Sequence, residues 1–484
     1  MPRTKREGVV LDHLEEPRAG GVPRYRAVYE RFRDAILSGA LKAGTALPST
    51  RTISVETSVS RKTAEAAYAQ LESEGYVVRR AGSGTFVADV QLPPRSRRVQ
   101  VTGRRTLSAR GRASVAAMSC VEPSVVRPFA AGLPALEAFP FETWQRLIAR
   151  HARQLDARAL VYGDPAGALA LREAIAAYLA GSRGVRCDPS QVIVVSSSQQ
   201  GIDLVTRLFL DPGDAAWLEE PGYYGARAAL TSAGARIIPV PVDDEGLDVA
   251  RGVELAPDAR VAYVTPSNQY PLGSTMSLER RLALLDWARR AGAWIIEDDY
   301  DSEFRYDGRP VASIQGLDPA GRVFYIGTFT KTLYPSLRLG YIVAPPDLAP
   351  RLVIARTQID GHPATFMQRV VADFMNEGHF GAHVRRMRAL YQARRDAFVE
   401  AVDHYLGAPI ANADAGMRAT VFLRRNDVEV SSRAAQAGIE APALSRYYVG
   451  EEKRNGLVLG YAGLSPAAIR KAMAGLASLS LSRP

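Results

Sequence analysis

The sequence of 484 residues predicts an α/β protein of two domains, an N-terminal winged helix-turn-helix and a larger domain with a mainly parallel sheet, joined by a linker. Three observations support this prediction. Excess positive charge lies at the N-terminal end, a pattern of three helices and two short strands coincides with it, and apolar strands then alternate with amphipathic helices. We place the domains and the linker at residues 22–88, 89–115 and 116–484.

The excess of basic residues is confined to the N-terminal end of the chain. Residues 1–112 contain 21 Lys and Arg against 11 Asp and Glu, which accounts for the whole formal net charge of +10. Phosphate backbones attract such a segment because binding releases condensed counterions. A basic end can also be a solvated tail without a partner, so charge alone leaves nucleic-acid binding open.

Composition argues against several other classes of protein. Hydrophobic residues make up 47% of the chain, and no stretch reaches the ~18 uncharged apolar residues that a membrane helix needs. The first residues lack the apolar segment of a signal peptide, so we expect a cytoplasmic protein. Cys120 and Cys187 are far apart and form no C-x-x-C pair, so neither a disulfide framework nor a thiolate zinc site is expected.

The N-terminal domain is predicted from helix and turn signals. Apolar residues recur at helical spacing within residues 25–41, at Val28, Phe32, Ile36 and Leu37. A short second helix begins near Ser49, and a tight turn at Ser58-Val59 precedes a third helix with its N-cap at Ser60 and its end at Gly75. Two strands around Gly82-Ser83-Gly84 complete the unit as a β-wing.

The first turn of the third helix suits a DNA groove, because free N–H groups and the helix dipole add to the side-chain donors there. A three-helix protein-interaction domain with a capped, charged helix start is the alternative. The stretch from about residue 24 to 88, which includes "VSRKTAEAAYAQLESEGYVVRRAGSGTFV", closely resembles the winged helix-turn-helix of GntR-type bacterial regulators. This resemblance implies double-stranded DNA as a partner and DNA contacts at Arg51, Ser60, Arg61, Lys62, Thr63 and Gly82.

Residues 89–115 are predicted to be a linker. They hold seven arginines, two prolines and one acidic residue, with no steady apolar period. The segment is either passive or in contact with DNA beside the wing, and the sequence leaves both open.

In the larger domain, polar residues follow apolar strands. "SSSQQ" follows "VIVV", "EDDYD" follows "WII", and "TFTK" follows "VFYI". Ligands of parallel sheets bind at the carboxyl ends of the strands, so these residues are expected to meet. A lysine that forms an imine needs a carboxylate to hold a heterocyclic nitrogen protonated, and hydroxyls with an arginine to bind a phosphate. The chain supplies such a set in Lys331, Asp298, Ser197, Ser198, Thr328 and Arg338, with Tyr223 able to stack on a flat ring.

This combination is similar to the fold-type I aminotransferases, enzymes that use pyridoxal 5′-phosphate (PLP), over roughly residues 129–484. Their lysine pattern stands here as Thr328, Thr330, Lys331 and Arg338. The resemblance implies that Lys331 carries PLP as a Schiff base, that Asp298 meets the pyridine nitrogen, and that Tyr223 stacks on the ring. It further implies Tyr300 near the ring hydroxyl, and a phosphate site formed by Ser197, Ser198, Gln199, Thr328 and Arg338. Asn268, two residues before the position of the family's usual asparagine, is a further cofactor-binding candidate.

With the GntR-type head, nearly the whole chain resembles the MocR-type regulators, in which a winged helix is joined to an aminotransferase-like domain. Tyr162 matches a tyrosine that these proteins lend to the phosphate of a neighbouring subunit, which implies a head-to-tail homodimer. The expected function is transcriptional regulation, with a small amine, an amino acid or PLP sensed through exchange at Lys331. The alternatives are an active aminotransferase that binds DNA and a GntR-type repressor without PLP.

Several residues depart from the aminotransferase pattern. Val458 stands where these enzymes usually carry an arginine that clamps the substrate carboxylate, Tyr270 replaces a usual asparagine, and Ser197 replaces a commoner glycine. An anionic effector would therefore need another donor, and Arg227 and Arg418 are the candidates. His379 and His383 have i, i+4 spacing but lack a third ligand, so helix packing is favoured over a metal site.

Overall fold

The computed structural model describes residues 24–89, 106–117, 126–306 and 312–481. Cys120 and residues 90–105 of the predicted linker lie outside these ranges. The chain divides into two compact units, Met1–Thr106 and Leu107–Pro484. Among the described residues, no helix combines the length and apolar character needed to cross a membrane.

The first unit is a winged helix-turn-helix, as the sequence predicts. Its elements are α1 (Arg24–Leu37), α2 (Thr50–Glu56) and α3 (Arg61–Ser73), followed by the antiparallel strands β1 (Val77–Arg80) and β2 (Gly84–Val87). The hydroxyls of Ser49 and Ser60 cap α2 and α3, because each accepts a hydrogen bond from a backbone N–H of the first turn. Ser58 has a φ of 50°, which forms the predicted tight turn between the two helices.

One apolar cluster holds the three helices and the wing together. Phe32 of α1 meets Tyr68 of α3 edge to face at 5.5 Å, and both rings are buried. Val28 and Ile36 are buried beside them. Leu37, which the sequence placed on the same apolar face, is 37% exposed. It projects about 100° from Ile36 around the helix, away from α3.

The second unit contains an eight-stranded sheet of order β3-β10-β9-β8-β7-β4-β5-β6. Strands β4, β5, β7, β8 and β9 run parallel, whereas β10 is antiparallel to β3 and β9, and β6 is antiparallel to β5. The predicted mainly parallel sheet is therefore confirmed. In chain order the strands are β3 (Val192–Val195), β4 (Ala215–Glu220), β5 (Arg236–Asp243), β6 (Gly246–Leu247), β7 (Val261–Val264), β8 (Trp294–Asp299), β9 (Val323–Thr328) and β10 (Gly340–Val343).

Helices cover both faces of this sheet, so its strands read as continuous apolar runs. A smaller C-terminal layer packs the antiparallel pair β11 (Arg418–Phe422) and β12 (Gly456–Gly460) on helices. The helices of the unit are α4 (Ala109–Ala116), α5 (Phe141–Arg153), α6 (Leu169–Arg183), α7 (Ser198–Phe209), α8 (Tyr224–Ala233), α9 (Val249–Leu255), α10 (Leu278–Ala291), α11 (Ile314–Leu317), α12 (Ala349–Asp360), α13 (Phe366–Asn376), α14 (His379–Leu406), α15 (Asp427–Gln436) and α16 (Pro466–Leu481).

Helix α4 lies in the segment that the sequence predicts as linker. The Ser108 side chain caps it by accepting a hydrogen bond from Gly111 N, and the Ser114 hydroxyl lies 3.0 Å from that of Ser232 on α8. No residue of α4 is buried, which explains why no apolar period marks the helix in the sequence. The end of the predicted linker thus contacts the helix that follows Tyr223.

Candidate functional sites

Polar residues collect at one edge of the large sheet. Gly340, the first residue of β10, pairs with both Val195 at the end of β3 and Thr328 at the end of β9. Asp299 at the end of β8 pairs with Gly327. The segments that follow these three strands therefore begin at the same edge, as their order in the sequence indicates.

Lys331 lies on the turn that follows β9. The Thr328 hydroxyl accepts a hydrogen bond from Thr330 N at 3.1 Å, and the carbonyl of Phe329 accepts one from Leu333 N at 2.8 Å. These bonds fix the turn. The amine of Lys331 lies against Gly132, since a Cβ built there would come within 2.5 Å of Nζ. A side chain at position 132 would therefore displace the amine.

His383 of α14 supports the same turn. Its Nε2 lies 3.0 Å from the carbonyl of Thr332, and its Nδ1 lies 3.0 Å from Nη2 of Arg386. Nε2 must donate to the carbonyl and Nδ1 must accept from the guanidinium, which requires a neutral ring. Burial lowers the pKa of His383 to about 4, in agreement with that state. Its neighbour His379 contacts Glu377 at 3.3 Å, and the described residues contain no cluster of three side chains suited to a metal.

Asp298 is buried at the end of β8. Its Oδ2 accepts a hydrogen bond from the hydroxyl of Tyr263 at 2.7 Å, whereas its Oδ1 has no hydrogen-bond partner among the described residues. Burial raises the pKa of Asp298 to about 7, the Tyr263 hydrogen bond opposes the rise, the carboxylates of Asp299 and Asp301 add to it, and the charge of Lys331 opposes it. The site thus holds a carboxyl group with one unsatisfied oxygen.

Helix α7 begins at the same edge of the sheet, directly after β3. Ser197 caps it by accepting a hydrogen bond from Gln200 N at 3.2 Å. A Cβ built on Gly340 would lie 3.1 Å from the carbonyl carbon of Ser197 and 3.2 Å from Ser198 N, so glycine allows the helix to approach β10. The free N–H groups of the first turn, with the hydroxyls nearby, favour an anion here.

Arg338 and Gln199 complete the predicted phosphate residues. Arg338 is exposed and has a left-handed backbone with a φ of 52°, two residues before β10. Gln199 donates from Nε2 to the carbonyl of Gly225 at 2.9 Å, which joins the starts of α7 and α8. Tyr223, just before α8, stacks near Tyr263 with ring centroids 6.5 Å apart. Tyr263 therefore connects Tyr223 to Asp298.

Tyr300 and Asn268 belong to a buried polar network. The Tyr300 hydroxyl donates to the carbonyl of Asn268 and accepts from Nη2 of Arg418, both at 2.6 Å. The Asn268 amide donates to both oxygens of Asp301 at 2.9 Å, and Arg418 lies 3.9 Å from the same carboxylate. The Tyr270 ring covers the guanidinium of Arg418 at 4.0 Å. The charge of Arg418, a candidate effector donor, is thus already balanced inside the protein.

Val458 lies among apolar and aromatic residues. It is fully buried on β12, pairs with Thr420, and packs with Leu444 and Tyr447. Arg418 pairs with Gly460, two residues further along β12, so it lies on the same face as Val458. The place of the expected carboxylate clamp is therefore apolar and closely packed.

Tyr162 and Arg227 lie apart from this network. The Tyr162 side chain is 92% exposed, and its neighbours Leu160 and Val161 are exposed as well. Arg227 of α8 donates to the carbonyl of Tyr448 at 3.4 Å. The structure of the single chain therefore leaves Tyr162 available to another molecule and directs Arg227 toward the loop before β12.

Three residues of the site were not identified from the sequence. Tyr263 and Asp301 bond to predicted site residues, and His383 holds the lysine turn. A signal existed for Asp301, because it belongs to the "EDDYD" run. The positions of Tyr263 and His383 depend on tertiary packing, which no local pattern reveals.

The predicted DNA-contact residues all belong to the first unit. The side chains of Arg51, Arg61 and Lys62 are exposed, and Arg61 pairs with Glu65 at 3.3 Å. Ser60 accepts the capping hydrogen bond from Thr63 N at 3.1 Å. Gly82 has a φ of 71° at the tip of the wing, a conformation that glycine adopts without strain.

Comparisons with known proteins identify the family of each of the two units. Residues 24–87 match the family model "Bacterial regulatory proteins, gntR family", and residues 130–476 match "Aminotransferase class I and II". The chain is 44% identical to the probable rhizopine catabolism regulatory protein MocR of Rhizobium meliloti, over 96% of this chain and 95% of that protein. It is 30% identical to the pyridoxine biosynthesis transcriptional regulator PdxR of Corynebacterium glutamicum, over 89% and 90%.

A solved enzyme structure shares the fold of the second unit. Kynurenine aminotransferase of Pyrococcus horikoshii, in complex with PMP, superimposes with a TM-score of 0.68 at 30% identity. The match covers 74% of this chain and 91% of the enzyme.

Replacing the buried carboxyl should stabilise the ligand-free protein at high pH. The folded state holds a proton on Asp298 up to about pH 7, whereas the unfolded state releases it near pH 4. The free energy of unfolding of the wild type therefore falls as the pH rises from about 4 to about 7. We expect the advantage of Asp298→Asn over wild type to grow by about 1–3 kcal/mol between pH 5 and pH 8, measured by denaturant unfolding. The exposed Asp286→Asn serves as control, and an advantage that is independent of pH would contradict the buried state.

Proposed function

Since the chain belongs to the MocR-type transcriptional regulators of the GntR family, we propose that its aminotransferase-like domain binds PLP at Lys331 and senses a small amine. The regulator acts on double-stranded operator DNA through its winged helix-turn-helix. The unsatisfied oxygen of Asp298 is the observation that carries the proposal, because a buried carboxyl without a partner fits a ligand that brings an N–H group.

The described residues fit PLP in three further respects. The start of α7, with Ser197, Ser198 and Thr328, offers N–H and hydroxyl donors to a phosphate. Tyr223 lies close enough to Tyr263 to cover a flat ring near Asp298. Arg338, exposed two residues before β10, would add a cation at this edge of the sheet. PLP supplies an aldehyde that bonds covalently to primary amines and a ring that withdraws electrons.

The chain's own residues then have separate tasks. Lys331 provides the amine for the covalent bond, and the turn fixed by Thr328 and His383 holds it in place. Asp298 keeps the ring nitrogen protonated, while the buried edge of the sheet excludes water. Tyr300 is held by Arg418 and the carbonyl of Asn268, which orients its hydroxyl. The contact of the Lys331 side chain with Gly132 would depend on whether this bond is made.

The proposed role is sensing rather than turnover. Val458 and Tyr447 occupy the region where a carboxylate clamp is expected, and the charge of Arg418 is balanced by Asp301. A carboxylate left unpaired in this region would cost several kcal/mol. Ordinary α-amino acids are therefore poor ligands. The names of two related regulators refer to rhizopine catabolism and to pyridoxine biosynthesis, and we keep a small amine and PLP itself as candidate effectors.

A homodimer fits the exposed Tyr162. Three neighbouring residues, Leu160, Val161 and Tyr162, expose large apolar side chains, as expected where a second copy binds. We place Tyr162 at the phosphate site of the partner, as the family resemblance implies.

The second candidate function, a DNA-binding aminotransferase, is favoured by the likeness to the kynurenine enzyme.

The cofactor assignment predicts a label on a single lysine. Purified protein loaded with PLP should be yellow, and borohydride reduction should leave a phosphopyridoxyl group on the peptide that contains Lys331. Lys331→Ala should lose both properties, whereas Lys453→Ala on an exposed loop should keep them. A label on another lysine would overturn the assignment.

The DNA assignment predicts two different effects on the first turn of α3. Arg61→Ala should weaken operator binding by about 1–3 kcal/mol if Arg61 reads a base, and Lys62→Ala should mainly reduce the salt slope if Lys62 meets phosphate. Arg290→Ala is the matched control, because Arg290 is an equally exposed arginine with an i, i+4 acidic partner on α10 of the other unit. Unchanged affinity in the Arg61 and Lys62 double variant would reject the groove model.

Turnover assays separate the sensor from the enzyme. With a panel of amino acids and 2-oxoglutarate, the PLP-loaded protein should show no sustained transamination, because the clamp is missing. Changes in its visible absorbance on addition of amines would identify the effector in the same samples. Sustained turnover on the order of 1 per second or faster would establish the enzyme instead.

A further inference from the structure

One buried arginine is hydrogen-bonded to two loops of the site, on the face of the sheet opposite to the Asp298 side chain. Arg183, the last residue of α6, donates from Nε to Oδ2 of Asp299 at 2.8 Å and from Nη2 to the hydroxyl of Ser267 at 2.6 Å. Asp299 ends β8 and lies next to Asp298, whereas Ser267 follows β7 and lies next to Asn268. Arg183 and Asp299 are both almost completely buried.

The two neighbouring aspartates face opposite sides of the sheet. Successive residues of a strand alternate between its faces, so Asp298 lies with Tyr263 on one side and Asp299 lies with Arg183 on the other. Tyr325 of β9 also donates to Oδ2 of Asp299, at 2.5 Å. The position of Asp298 is therefore fixed in part by bonds that its neighbour makes behind the sheet.

We propose that Arg183 is a positioning residue of the PLP site, which holds the loops after β7 and β8 together and neutralises Asp299 behind Asp298. The inference rests on the proposed function, since it concerns how this chain prepares its cofactor site. Arg183 reaches neither Lys331 nor the start of α7 in any bond of the described residues, and it acts through Asp299 and Ser267.

The charged groups around Asp298 and Asp299 determine the direction in which each substitution should move the pH midpoint of the PLP-loaded protein. Asp299 is faced by Arg183 and Arg281, by the phenols of Tyr325 and Tyr341, and by the carboxyls of Glu297, Asp298, Asp301 and Glu303. Asp298 is faced by Tyr263, Asp299, Asp301 and Lys331. When Arg183 is replaced, Asp299 loses the cation that is hydrogen-bonded to it, and the net charge around Asp298 becomes more negative. Without the charge of Asp299, the site becomes less negative.

The test uses the full-length protein loaded with PLP and four variants: Arg183→Met, Arg183→Lys, Asp299→Asn and the double variant Arg183→Met with Asp299→Asn. A more negative site keeps a proton to higher pH, so the pH midpoint of the visible absorbance change should rise in Arg183→Met and fall in Asp299→Asn, each by about 0.5–1 unit. The double variant should return close to wild type, and Arg183→Lys should stay close to it.

Affinity for PLP provides a second measurement. Titration of the cofactor-free protein should show about tenfold weaker binding or more in Arg183→Met, because a buried charge loses its partner, with partial recovery in the double variant. If Arg183→Met does not fold, the downward shift in Asp299→Asn and the behaviour of Arg183→Lys still decide the matter. Glu279→Gln, on the exposed first turn of α10, is the neutral control.

The outcomes separate this inference from the proposed function. Midpoints that move in the same direction in Arg183→Met and Asp299→Asn, or that do not move, would overturn the positioning role and indicate a merely structural ion pair. A double variant no better than Arg183→Met in affinity would do the same. If wild-type protein fails to bind PLP on Lys331, the proposed function itself fails.

Discussion

The burial of Asp298 at the end of a parallel strand is the constraint on which the site depends. Burying a carboxyl group is costly without a proton, a cation or several hydrogen bonds. Here one oxygen receives a bond from Tyr263, while the other receives none from the part of the chain that the structure describes. The large sheet stabilises this arrangement through its apolar faces. The fold thus holds the carboxyl group of Asp298 in an energetically unfavourable environment. A ligand with a positively polarised N–H group would stabilise it by donating a hydrogen bond.

The polar residues around Asp298 show how such a site is kept rigid. Asp301 balances Arg418, and the hydroxyl of Tyr300 is held between that arginine and a carbonyl. His383 holds the lysine turn in a neutral state. Each of these groups is held by at least one partner within the protein, whereas Oδ1 of Asp298, beside the lysine turn, has none among the described residues and is open to a ligand.

Much of the fold could be predicted from the sequence, because its signals are local. Ser60 is followed by a charged helical turn, and "VIVV" reads as a buried strand, so caps, turns and strands appear where the pattern indicates. Lys331 and Asp298 were predicted as site residues because each comes directly after an apolar run in the sequence. The roles of Arg183 and His383 could not be found in this way, since they depend on contacts with residues 116 and 51 positions away. Helix α4 was missed because it buries no residue.

Helix α6 connects the loop of Tyr162 to the loops beside the candidate site. At its start, the guanidinium of Arg172 bonds to Asp164, in the loop that carries the exposed Tyr162, and at its end Arg183 holds the loops beside the site. Fifteen residues of helix span about 22 Å, so α6 connects the loop of Tyr162 to the loops beside Asp298 through one continuous element. A molecule that binds Tyr162 would therefore contact a loop that is hydrogen-bonded to the same helix that carries Arg183.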